Sequence, residues 1–75
     1  LARNELLEIS FSATMAVDFN IHYHLDNQVR FPVNLKQQRD YADSYVAPAT
    51  RTYCLMWTNR NHQPLQLRYQ YEVRR

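Results

Sequence analysis

From Ile9 to Leu25 every odd-numbered residue is apolar: Ile9, Phe11, Ala13, Met15, Val17, Phe19, Ile21, Tyr23 and Leu25. The even positions between them are Ser10, Ser12, Thr14, Ala16, Asp18, Asn20, His22 and His24, polar at all but Ala16. A period of two over this length is the signature of extended chain with one face buried, and no helical template fits it. Typical strands run about 3–10 residues. The reading therefore divides the run near Met15–Val17, into a strand over about 7–14 and another over about 17–25.

Downstream, the polar turn Asp26-Asn27-Gln28 leads into renewed alternation at Val29, Phe31, Val33 and Leu35, so strands two and three read as a hairpin. Pro32 has no N–H for a ladder, which makes strand three an edge or ends its pairing there. Residues 37–44 (QQRDYADS) are polar and lack a period, and read as a loop before a short strand at about 45–47 and Pro48. The run TYCLMWT over 52–58 is apolar or amphipathic on both sides, which suits a central strand covered on two faces. A turn at 59–63 and the alternating segment from Leu65 to Val73 complete a second expected hairpin, and residues 1–6 form a tail, helical if anything. The expected fold is all-β: a small antiparallel β-sandwich of five or six strands, forming a single domain over 1–75.

The chain has 75 residues, 45% hydrophobic and 21% charged, and no glycine. A domain of this size has a thin core. Lacking glycine, it has no Gly-rich phosphate loop, dinucleotide fingerprint or G-x-S-x-G elbow, and its tight turns fall to Asn and Asp. The single Cys54 excludes an internal disulfide framework and a four-cysteine zinc site. Nine Lys and Arg against seven Asp and Glu are spread along the chain, with only Arg74-Arg75 adjacent. That pattern argues against nucleic-acid binding, which concentrates positive charge on one face. No apolar stretch approaches the ~18 residues of a membrane span. With Leu1 in the place of a starting Met, the expectation is an excised or processed piece of something longer.

Few residues carry chemistry. His22 and His24 are two apart on one strand, so both imidazoles project from one face, as β-proteins present two nitrogens to a metal. Asp18, Asn20 and Asp26 share that parity, and His62 is the best third ligand by type. The plainer expectation is a solvent face bearing two histidines, with no metal and no cofactor. Cys54 lies mid-strand without an adjacent histidine, which fits packing rather than nucleophilic chemistry. No Ser–His–Asp set or carboxylate pair is evident, so no enzymatic activity is expected. Six tyrosines remain. Tyr41 and Tyr45, beside the polar segment, are suited to anchoring a protein partner. Tyr23, Tyr69 and Tyr71 share the core parity, and Trp57 belongs to the core or floors a pocket. The candidate binding residues are Asn20, His22, His24, Tyr41 and Tyr45, and exposed sheet edges offer a route to homo-oligomers.

The order of these segments also carries a family resemblance. VDFNI at Val17–Ile21, a polar middle, APATRTYCLMWTN at Ala47–Asn59 and a last alternating strand resemble the Golgi-dynamics (GOLD) domain. Asp18, Phe19, Ile21, Pro48, Tyr53 and Asn59 match the family pattern. Arg51 stands where the family usually has Gly, and the cysteine pair of its lumenal cargo-receptor branch is absent. The resemblance implies a non-catalytic β-sandwich for protein–protein interaction, often attached to lipid-linked or trafficking proteins. A second likeness is to the cupins: His22-x-His24 followed by Gln28 is similar to their H-x-H-x-x-x-E metal motif, with Gln for Glu. It would make His22 and His24 metal ligands.

Overall fold

The computed structural model describes residues 1–75 and contains four strands: β1 (Leu6–Leu25), β2 (Gln28–Val46), β3 (Cys54–Thr58) and β4 (Leu67–Arg74). All four belong to one antiparallel sheet. The chain is all-β. No helix is long and apolar enough to cross a membrane.

β1 is the central strand. β2 pairs with it along one side, from Leu25↔Gln28 to Leu6↔Val46. On the other side β3 covers Asp18–His22 and β4 covers Leu6–Ala13, one after the other. The last two strands therefore do not form the expected hairpin. They lie end to end, both antiparallel to β1, because the segment joining them follows β1 instead of reversing. For the same reason 52–58 is not a central strand: β3 pairs with β1 alone, and Met56 is exposed. The expected five- or six-stranded sandwich is replaced by four strands in one sheet.

β1 is not divided at Met15–Val17. Its 20 residues would extend about 66 Å at ~3.3 Å each, whereas the molecule measures 37 × 29 × 14 Å. The strand must bend, and the register shows where. Ser12 pairs with Asp40 and Val17 with Gln38, so Ala13–Ala16 bulge opposite Arg39 alone. Neighbouring groups take up the backbone at this bend. Arg39 donates to the Thr14 carbonyl at 3.0 Å, Asn61 Nδ2 donates to the Ala16 carbonyl at 2.8 Å, and Thr14 N donates to the Gln66 carbonyl at 3.0 Å. Val17 lies four positions after Ala13, an even step, so the apolar parity survives the bend. Leu7, Ile9, Phe11, Ala13, Val17, Phe19 and Ile21 form one buried cluster.

The segment 37–44, expected as a loop, is part of β2. Its polar composition reflects an edge strand whose outward side meets water. Two irregularities in β2 have identifiable causes. Pro32, which has no N–H to donate, lies within the shift between Ile21↔Val33 and Tyr23↔Arg30. Gln37 takes a positive φ of 55° where an extra residue opposes Asp18. The β1–β2 connection is a two-residue turn at Asp26 and Asn27, with φ of 49° and 65°, as a type I′ hairpin requires. In this glycine-free chain the left-handed positions fall on Asn4, Asp26, Asn27 and Gln37.

The tail is not helical. Asn4 N donates to Ala47 O at 2.7 Å, Ala47 N to Glu5 O at 3.0 Å, and Arg51 N to Leu1 O at 3.0 Å. These bonds strap residues 1–5 against 47–51 and carry the Leu1 side chain onto the core.

Candidate functional site

The bend brings the two halves of the inner face together. The Phe11 and Phe19 rings, eight positions apart, are 5.1 Å apart between centroids, and Trp57 packs 5.8 Å from the first and 5.2 Å from the second. Trp57 also stacks at 4.8 Å on Tyr69 of β4, joining the two collinear strands through their side chains. Such pairs contribute about 0.5–1.5 kcal/mol each beyond area burial. The Trp57 indole N–H is buried without an acceptor.

Beside this cluster lies a groove of about 320 Å³, lined by Leu1, Leu7, Tyr53, Leu55 and Trp57. Tyr69 and Tyr71 complete it, so all its lining residues are apolar or aromatic. Tyr69 and Tyr71 are 56% and 60% exposed. They face inward as their parity predicts, but nothing in the chain covers them. Tyr53 is held in place by its hydroxyl donating to Ala49 O at 3.0 Å and by edge contacts with Tyr23 and Tyr45. Arg51 lies 4.3 Å over the Tyr23 ring, a cation–π contact.

Tyr41 and Tyr45 lie on β2, not in a loop, and are half-buried on this inner face. Tyr41 stacks 5.5 Å from Phe11 and 5.6 Å from Phe19. Burial raises its phenol pKa above the usual value, and the adjacent Asp43 carboxylate adds to the shift. Burial raises the Tyr45 phenol in the same way, with a further contribution from Tyr53. Both phenols stay protonated at neutral pH.

Asn20, His22 and His24 occupy the opposite face, so the five candidate binding residues do not share one surface. His22 Nδ1 is 2.7 Å from Asn20 Oδ1, and its ring lies 5.5 Å from His24 and 5.7 Å from Phe31. Directly across β3, Cys54 pairs with His22 and Met56 with Asn20. His62 sits in the segment between β3 and β4. No group of three or more His, Cys, Asp or Glu is assembled for a metal ion. A zinc titration should therefore give no rise in Tm that His22→Ala abolishes. Micromolar binding lost in that variant would establish a metal site on this face.

Asp18 is the one buried charged residue, 8% exposed. It accepts from Arg60 Nε and from Gln37 N (3.2 Å), and Lys36 Nζ lies 3.7 Å away. The Arg60 hydrogen bond, then the Gln37 amide, hold its carboxyl below the ordinary Asp value. One carboxylate thus ties the β2 bulge and the β3–β4 connection to β1. Asn59 orders that connection, accepting from Asn61 N at 2.9 Å and donating to Gln63 O at 3.0 Å. The even parity of Asp18 suggests a solvent position. Its burial follows from a long-range partner, Arg60, that no local pattern marks.

A second concavity, about 560 Å³, crosses the outer side of β1, β2 and β4 and is polar, with Glu8, Asp43 and Glu72 at its margins. Arg74 bridges Glu8 at 3.3 Å and Glu72 at 3.2 Å. Compared with family models, curated proteins and solved structures, the chain matches none.

Proposed function

We propose that this chain is a non-catalytic protein-interaction module, resembling a GOLD domain, that takes an apolar or aromatic side chain of a protein partner into the groove beside Trp57. The observation that carries the reading is the groove itself: wholly apolar and aromatic walls with two tyrosines largely open to solvent. Aromatic rims of this kind are the usual anchors of protein contacts, because they offer large area at small rotamer cost. The GOLD-like reading treats the two halves of the bent sheet, meeting at Phe11 and Phe19, as counterparts of the layers of a sandwich. It moves the main contact surface from Asn20, His22 and His24 to the inner face, where burial of apolar area supplies the driving force.

Selection of a displayed random peptide library against the chain tests this. Enriched peptides should carry aromatic or branched apolar residues and perturb Trp57 fluorescence. They should lose about tenfold in affinity, some 1.4 kcal/mol, on Tyr71→Ala while ignoring His24→Ala. Peptides that bind equally well to the Tyr71→Ala protein, or a library that enriches nothing, would count against the groove.

A further inference from the structure

We propose that two copies of this chain pair through the free edge of β4, antiparallel about a two-fold axis at Gln70, and so form one continuous sheet. This does not rest on the groove's function. β4 pairs only with β1, so its other edge is open. An open edge is a template for another strand, and proteins usually guard it with Pro, bulges or Lys. β2, the opposite edge, has such guards: Pro32, Lys36 and two bulges of its own. β4 has a regular register and none of these devices.

Its sequence is also complementary to itself. In Leu67–Val73, LRYQYEV, an antiparallel copy centred on Gln70 sets Arg68 against Glu72, Tyr69 against Tyr71 and Leu67 against Val73. Each of these pairs joins residues on the same face of the sheet. Arg68 has no acidic partner within the chain, and Glu72 stays 64% exposed despite its contact with Arg74. The symmetric pairing gives each Arg68 a carboxylate, twice per dimer.

Backbone polarity agrees with this centre. Thr14 N donates to Gln66 O, in the register that pairs Ala13 with Leu67. Bonded pairs alternate along an antiparallel ladder. Even residues of β4 therefore bond to β1, while Leu67, Tyr69, Tyr71 and Val73 turn their N–H and C=O groups outward. In the proposed dimer these are the residues that must bond across the axis: Tyr69 with Tyr71, and Leu67 with Val73. Gln70 meets its own copy as a non-bonded pair, with Cα atoms about 4.5 Å apart.

Charge swaps and cross-linking test the proposal. Sedimentation equilibrium of the wild-type chain should show reversible association to twice the 9.1 kDa monomer mass. Arg68→Glu or Glu72→Arg alone sets like charges together and should weaken association tenfold or more, while the double swap restores it. In a Cys54→Ser background, Gln70→Cys should form a symmetric disulfide on mild oxidation, because its Cα separation suits one. Arg68→Cys should not, since the two copies of that position lie about 13 Å apart. A wild-type mass that stays monomeric, a double swap that fails to recover association, or equal cross-linking at both positions would overturn the proposal. Peptide capture that persists in the Arg68→Glu monomer would separate this interface from the groove.

Discussion

Phe19→Ala should largely unfold the protein. Its side chain is fully buried and touches Phe11, Tyr41 and Trp57, the rings that join the two halves of the bent sheet. Truncating a buried Phe costs about 3–5 kcal/mol, from lost transfer energy and the cavity left behind. Whole domains are stable by only about 5–15 kcal/mol, and a chain this small lies at the low end. Ile21→Ala, at 1% exposure, should lose about 2–5 kcal/mol by the same mechanism. His24→Ala, exposed on the outer face of the same strand, should change stability by no more than about 0.5 kcal/mol, and Asn20→Ala, half-buried there, should still cost far less than Phe19→Ala because it opens no core cavity. Urea titration compares the two sets. Equal losses from Phe19→Ala and Asn20→Ala would mean that the register of β1 is wrong.

Among polar substitutions, Asp18→Asn should cost the most, and its effect should depend on pH. The carboxylate is held below its ordinary pKa by the Arg60 hydrogen bond and then by the Gln37 amide. The folded state therefore binds the Asp18 proton less readily than the unfolded chain does. Its contribution is fully present above the unfolded value of about 3.9 and is lost as pH falls through the lower folded value. Melting curves from pH 7 to pH 2 should show an acid limb in the wild type that is shallower in Asp18→Asn. The variant should also melt lower at pH 7, because the neutral amide gives Arg60 and Lys36 no charge to meet and, with one oxygen in place of two, leaves either Gln37 N or Arg60 Nε facing an N–H₂. An unchanged acid limb would assign acid sensitivity to another carboxylate, the nearest candidate being Glu5, whose pKa the Ala2 amide and Arg75 also lower.

The inner face was legible from residue order because a strand's side chains alternate whatever the strand pairs with. The odd residues from Leu7 to Ile21, apart from Met15, are the buried cluster, and Asp26-Asn27 makes the turn that its residue types favour. The same alternation misled in two places. It could not distinguish two strands from one bent strand, because an even step through the bend, from Ala13 to Val17, leaves the parity unchanged. It also missed the second half of β2, because an edge strand with one wet side needs little apolar content. The candidate site was less legible still. Tyr53, Leu55 and Trp57 share a parity, but nothing local brings them into one groove with Leu1 and Leu7.

What the chain alone determined is therefore the extended conformation, the side of the sheet on which each residue of β1 lies, and the tight turn after Leu25. These depend on neighbours one or two positions away. Tertiary structure decided the rest: that β3 and β4 follow one another along β1, that Asp18 is buried under Arg60, and that Tyr69 and Tyr71 are left open beside a free edge. Each of these depends on contacts between residues far apart in the chain. The bend in β1 is itself such a case, since the groups that secure it, Arg39, Asn61 and Gln66, bond to it across 25 or more positions of sequence.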